Sequence, residues 1–212
     1  MPFQADRAVP YLLFLAAGGI GLPYWKGFEF LDPRILLAYS ATAPLFLSPP
    51  LVSAIASDAG RSLPLSALIR RLTLAIGFGW LSAMLMSGLA LGTVVANYGA
   101  SLLPSTPVLI SLAVISLLLA ILGAAGSAVA AVRMSNADLA KRVIRTSFLM
   151  ALLILVAAVR MGPDAWAAAL LSNLTPEGMP WLAVKLAIGV VPVSAVLLRI
   201  AAADPRYSSR SA

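Results

Sequence analysis

Residues 43–55 read APLFLSPPLVSAI, an apolar stretch with Pro44 near its start and the pair Pro49-Pro50 in its middle. In water, prolines so placed end a helix, because each lacks a backbone N–H and crowds the carbonyl four residues earlier. In a bilayer the chain still has to cross as helix, and the freed carbonyls, those of Ser40, Leu45 and Phe46, need other partners. Which solvent surrounds this stretch therefore decides how the whole chain is read.

The rest of the sequence supplies that solvent. Of 212 residues, 61% are hydrophobic and 11% charged, and mean hydropathy is +0.96. That is more apolar surface than one water-soluble core of this size hides. The charges gather in short patches between apolar runs of spanning length, whereas a transmembrane barrel would alternate apolar and polar residues over strands of about ten. The expectation is an all-α, polytopic integral membrane protein with one transmembrane domain over 1–212. Its spans fall at about 9–23, 35–57, 72–98, 107–132, 143–161 and 179–203, six transmembrane helices in all.

At 1.5 Å per residue the first run is marginal for a hydrocarbon layer of roughly 30 Å, and the others are adequate. Arg7, followed by an apolar run with Ala16, Ala17 and Gly18, also has the outline of a signal peptide. The thin basic region and the lack of a small-x-small ending favour an uncleaved span.

Alternate connections differ in charge. One side holds Arg7, Arg61, Arg70, Arg71, Arg133, Lys141, Arg142, Arg145, Arg199, Arg206 and Arg210; the other holds Lys26, Arg34, Arg160 and Lys185. Each side has four acids, so the net charge of +7 belongs to the first side alone. Positive residues near span ends stay in the cytoplasm on insertion, which places the N-terminus and the C-terminus there and explains the basic pI without nucleic acid as a partner. Tyr24, Trp25, Tyr98, Trp166 and Trp181 fall at the opposite span ends, where amphipathic rings sit at the headgroups; Trp80, inside the third span, is expected to pack against a neighbouring helix.

The chain has no Cys and no His. That removes disulfides, most metal centres, the usual haem ligands and every Ser-His or Cys-His catalytic arrangement. The acids Glu29, Asp32, Asp58, Asp138, Asp164 and Glu177 all map to ends or loops, which argues against an intramembrane carboxylate relay or aspartyl protease. No enzyme, cofactor or metal is expected.

The loops carry the local signals. RSLPLSALIRRL, residues 61–72, has Leu65, Leu68, Ile69 and Leu72 at helical spacing with Arg61, Ser66, Arg70 and Arg71 between them, and reads as an interfacial amphipathic helix over about 62–71. Its roles are a membrane-lying connector or a coupling element for a soluble partner, carried by Leu65, Leu68, Ile69, Arg70 and Arg71. SNAD, residues 135–138, offers Ser135 as a helix N-cap, with one helix running on to Met161. GPDAWAAALLSNLTPEGMP, residues 162–180, holds an apolar part too short to cross and reads as a short interfacial or partly inserted helix over about 164–172. Gly88 with Gly92, and Gly123 with Ser127 and Ala131, form small-residue rows that suit packing within the chain or a homodimer.

This layout, with RSLPLSALIRRL between spans two and three and GPDAWAAALLSNLTPEG before span six, resembles that of ABC-2-type permeases, including the small haem-exporter B-type subunits. The resemblance implies a cytoplasmic coupling helix and a separate ATPase chain. About eight residues precede the first span, which departs from the amphipathic N-terminal helix of that family, and no GxxxxGK[ST] motif is present. Two functions are thus expected: a membrane-embedded permease-like subunit of a transporter, or a non-transporting assembly or regulatory subunit packed against other membrane subunits. In either case the surroundings are the lipid bilayer, and the Ala-, Leu- and Gly-rich composition resembles that of bacterial inner (plasma) membrane proteins. The candidate hinge or midplane site is Pro44, Pro49 and Pro50 with Ser40 and Ser48, whose hydroxyls, with those of Thr42 and Ser53, lie close enough to serve the freed carbonyls.

Overall fold

Pro64, extended at ψ 148°, opens a 34-residue helix that runs without interruption to Tyr98 and is closed by Gly99 at φ 96°. No proline falls between these ends, so nothing separates the amphipathic turns at 65–71 from the apolar run at 72–98. The separate interfacial helix expected over 62–71 is therefore replaced, from Leu65 onward, by the first turns of one rod about 51 Å long.

The computed structural model describes residues 5–27, 31, 33–57, 64–134, 136–161 and 172–204. In chain order these form α1 (Ala5–Ala16), a π-helical turn (Ala17–Gly21) and α2 (Leu22–Lys26), then α3 (Pro33–Ser40) and α4 (Ala43–Ala56). The long rod is α5 (Leu65–Tyr98), and a 3-10 turn (Ala100–Leu102) leads to α6 (Thr106–Arg133), α7 (Ala137–Met161) and α8 (Gly178–Ala202). Among the described residues there is no strand. The expected helix at 164–172, the residues Arg61, Ser135 and Trp166, and the loop acids Glu29, Asp32, Asp58 and Asp164 lie outside the described residues, save Ser172.

The first run is longer than the sequence suggested. α1, the π turn and α2 follow one another in helical backbone, twelve, five and five residues long, for about 33 Å in all. The π turn leaves carbonyls that side chains of other helices approach: Tyr39 Oη donates to Gly18 O at 2.6 Å, and Thr93 Oγ1 lies 3.3 Å from Gly19 O, its proton shared with the nearer Leu89 O at 2.9 Å.

The core is stacked as two apolar clusters, and the order in which each helix passes through them gives its direction. One cluster holds Phe46, Met86, Val94, Val108 and Met179; the other holds Ile55, Leu68, Ala131, Ile144 and Ala201. α4, α6 and α8 run from the first to the second, α5 runs back, and α7 starts in the second. α1 and α2 lie parallel to α5, with Tyr11 stacked on Phe78 and Gly27 against the Tyr98 hydroxyl. The basic residues Arg70, Arg71, Arg133, Lys141, Arg142, Arg145 and Arg199 consequently gather toward one end of the bundle. Exposed Tyr24, Trp25, Tyr98 and Trp181 mark the other.

Four stretches, Ile35–Ala56, Leu65–Tyr98, Thr106–Arg133 and Gly178–Ala202, are long and apolar enough to cross a membrane, and the chain is a multi-pass helical membrane protein. α7 begins with Asp138, Lys141, Arg142 and Arg145 before it turns apolar. Asn136 caps it: Asn136 Oδ1 accepts from Asp138 N at 2.9 Å and Leu139 N at 3.2 Å.

Candidate functional site

Pro44, not the Pro49-Pro50 pair, breaks the second run. As the second residue of α4 it brings no N–H for the Ser40 carbonyl, and the chain answers with a turn at Ala41-Thr42. Thr42 N donates to Tyr39 O at 3.0 Å and Leu45 N to Thr42 O at 2.9 Å, both one residue tighter than α-helical bonds. One proline thus ends α3 and, with its fixed φ, starts α4.

Pro49 and Pro50 then sit inside α4 without ending it. Pro50 is exposed and Pro49 half-buried, while Leu47, Ser48, Leu51 and Val52 around them are buried. Three of the hydroxyls expected to serve the freed carbonyls bond elsewhere. Ser40 Oγ donates to Leu36 O at 3.2 Å, Thr42 Oγ1 to Tyr39 O at 2.6 Å and Ser48 Oγ to Pro44 O at 2.6 Å. Each reaches back three or four residues along its own chain, the shortest route for a buried hydroxyl on a helix.

α4 is held at the centre of the bundle by α5, α6 and α7. Two glycines set how closely the helices approach. A Cβ on Gly79 of α5 would fall 2.8 Å from both Ala43 O and Leu47 Cβ, and one on Gly123 of α6 would fall 2.7 Å from Pro44 Cβ. One turn beyond Gly123, Ser127 Oγ donates to Ser48 Oγ at 3.0 Å, so a buried relay runs from Ser127 through Ser48 to the Pro44 carbonyl. The Gly123 and Ser127 row therefore works within the chain. Gly88 and Gly92 instead face outward, where a Cβ would meet nothing within 4 Å.

The two ends of the basic pair at 70–71 part company. Arg71 turns inward and its Nη1 donates to Ala54 O in the last turn of α4, a carbonyl that Ser57 Oγ also reaches at 2.8 Å. Leu68 is buried beside it, while Leu65, Ile69 and Arg70 are exposed. A guanidinium on the final carbonyls of a helix satisfies acceptors that have no intrahelical donor and complements the negative end of its dipole. α4 is thereby tied at one end to Arg71, in the middle to Ser127 and at the other end to Gly123.

Composition and spacing gave no sign of several contacts. Trp80 packs against α6 as expected, and its Nε1 donates to Ala113 O at 3.0 Å. Tyr39, which bridges to the π turn, and the Tyr11 Oη to Ser82 Oγ contact at 2.6 Å were not foreseen, because single hydroxyls on apolar faces have no periodic signature. Two surface grooves, of about 300 Å³ between α6 and α8 and about 360 Å³ along α7, lie away from α4. No family model, characterised protein or solved structure matches the chain.

Proposed function

We propose that the protein is the membrane-embedded permease-like subunit of a transporter, working with a separate ATPase, and that α4 is its moving element. On this reading the chain crosses a bacterial inner membrane six times, with both termini and the basic end of the bundle in the cytoplasm. The observation that carries it is the meeting of the two candidate sites on one helix. Arg71, beside the exposed strip of Leu65, Ile69 and Arg70, holds the Ala54 carbonyl; six residues up the same helix, about 9 Å away, Ser48 holds Ser127. A push on the strip reaches the Ser48 contact along α4, which stays helical through Pro49 and Pro50, and the turn at Ala41-Thr42 is the hinge that lets it tilt.

The test uses the absence of native cysteine. In Ser48→Cys combined with Ser127→Cys, oxidation joins α4 to α6; ATP hydrolysis by the purified complex is expected to stop and to return on reduction. Hydrolysis that continues in the oxidised form removes α4 as the moving element. The close fit at Gly79 and Gly123 favours a second reading, a non-transporting assembly or regulatory subunit whose centre is simply locked. Under that reading no ATPase co-purifies from native membranes and another membrane subunit does.

A further inference from the structure

Lys185 lies seven residues into α8, about 10 Å along the helix axis and among apolar residues. Its ammonium does not swing freely. Nζ donates to Asn173 Oδ1 at 2.7 Å, and Asn173 belongs to a turn closed by Thr175, whose Oγ1 donates to Ser172 O at 3.0 Å and accepts from Gly178 N at 3.1 Å. Among the described residues the ammonium makes no ion pair. An amide oxygen takes one of its three donors and leaves the charge in place.

Below this cation the groove of about 300 Å³ between α6 and α8 begins. Besides Lys185 it is lined by Leu122, Leu186, Gly189, Val190 and Val193, all apolar. Gly189 is its floor, since a Cβ there would meet nothing within 4 Å. Val193 lies two turns from Lys185, about 12 Å deeper. Only 17% of the most apolar window of α8 is buried, so the groove opens toward the bilayer, and exposed Trp181 stands one turn to the headgroup side.

We propose that this groove holds one anionic phospholipid, with its phosphate on Lys185 Nζ and an acyl chain lying over Gly189. A fixed, unneutralised cation directly above an apolar trough that faces lipid matches the order of charge and hydrocarbon in such a molecule. The site needs α8 to span the membrane and is independent of whether the protein transports anything.

Native mass spectrometry of the purified protein, with phosphatidylglycerol and phosphatidylcholine of identical chains, tests it. A basic residue at the headgroup level is worth about 1 kcal/mol, so phosphatidylglycerol should be retained about fivefold better. Lys185→Gln should abolish that preference. Gly189→Leu, whose Cβ enters open space, should lower retention of both lipids while thermal unfolding stays unchanged. Equal retention by the unaltered protein, or an unchanged preference in Lys185→Gln, overturns the proposal. So does displacement of the lipid by millimolar inorganic phosphate, which marks a free-phosphate site, or a dimeric mass that Gly189→Leu abolishes, which marks a second copy on the groove.

Discussion

Ser127 Oγ and Ser48 Oγ meet at 3.0 Å in the buried contact between α6 and α4, and Ser48 Oγ in turn donates its hydrogen bond to the Pro44 carbonyl. The order of donation makes the pair unequal. Ser48 is bonded without Ser127, but among the described residues Ser127 Oγ has no other bond across the interface. Ser127→Ala should cost about 0.6 kcal/mol, the usual worth of one interhelical bond in a membrane protein. Gly123→Ala, one turn away, forces a methyl to 2.7 Å from the rigid Pro44 ring and should cost more, about 1–3 kcal/mol. Reversible unfolding in mixed micelles gives both numbers; a Gly123→Ala variant as stable as the native protein would show that α4 yields at Pro44.

Arg70 and Arg71 are neighbours with different tasks, and substitutions should separate them. Arg71→Ala removes the guanidinium from Ala54 O and leaves Ser57 there alone, lowering stability by about 1 kcal/mol or more. Arg70→Glu touches only the exposed strip and should leave the unfolding midpoint unchanged; if the protein is the transporter subunit proposed above, its ATPase should no longer co-purify. Loss of the partner in Arg71→Ala with retention in Arg70→Glu would reverse the two roles.

Much of this was legible in the residues, and the misses have physical causes. Pro44, Pro49 and Pro50 name three carbonyls that lose a donor, but not which loss ends the helix. That depends on what surrounds the ring: Pro44 is clamped by Gly123 of α6, whereas exposed Pro50 points away from the bundle and leaves α4 intact. The small-residue row at Gly123 and Ser127 was visible, and so was that at Gly88 and Gly92; only the packing tells that one is interior and the other is not. The continuity of 65–71 with 72–98 was present in the sequence, since Pro64 is the only breaker nearby. The π turn at Ala17–Gly21 had no signal, because its wider bonding is stabilised by Tyr39 and Thr93 from other helices.

The pH response of the basic end rests on Asp138. The hydrogen bond from Lys141 Nζ, 3.0 Å away, followed by the charges of Lys141 and Arg142, holds its carboxyl below the ordinary carboxylate range. A carboxylate depressed in the folded protein contributes stability above its unfolded pKa of about 3.9, and the contribution is lost as pH falls through the folded value. The pair is exposed and its effect on global stability is small. A carbon-13 carboxyl titration is therefore the right measurement. Asp138 should titrate below about 3.9, and Lys141→Met should raise its midpoint. A midpoint that Lys141→Met leaves unmoved excludes the ion pair as its cause.

The last prediction concerns Pro49 and Pro50. Both lie inside α4 with helical backbone, so Pro49→Ala with Pro50→Ala needs no change of path and restores donors for the carbonyls of Leu45 and Phe46. A proline in a helix interior costs about 3 kcal/mol in water, and in a membrane neighbouring groups recover part of that, so the double variant should be more stable by about 1–3 kcal/mol. If α4 moves, the same stiffening should slow ATP hydrolysis by the complex, giving a protein that is harder to unfold and less active. If α4 is a fixed structural helix, stability rises and activity stays. The pair of readouts, taken on one variant, separates a moving helix from a fixed one.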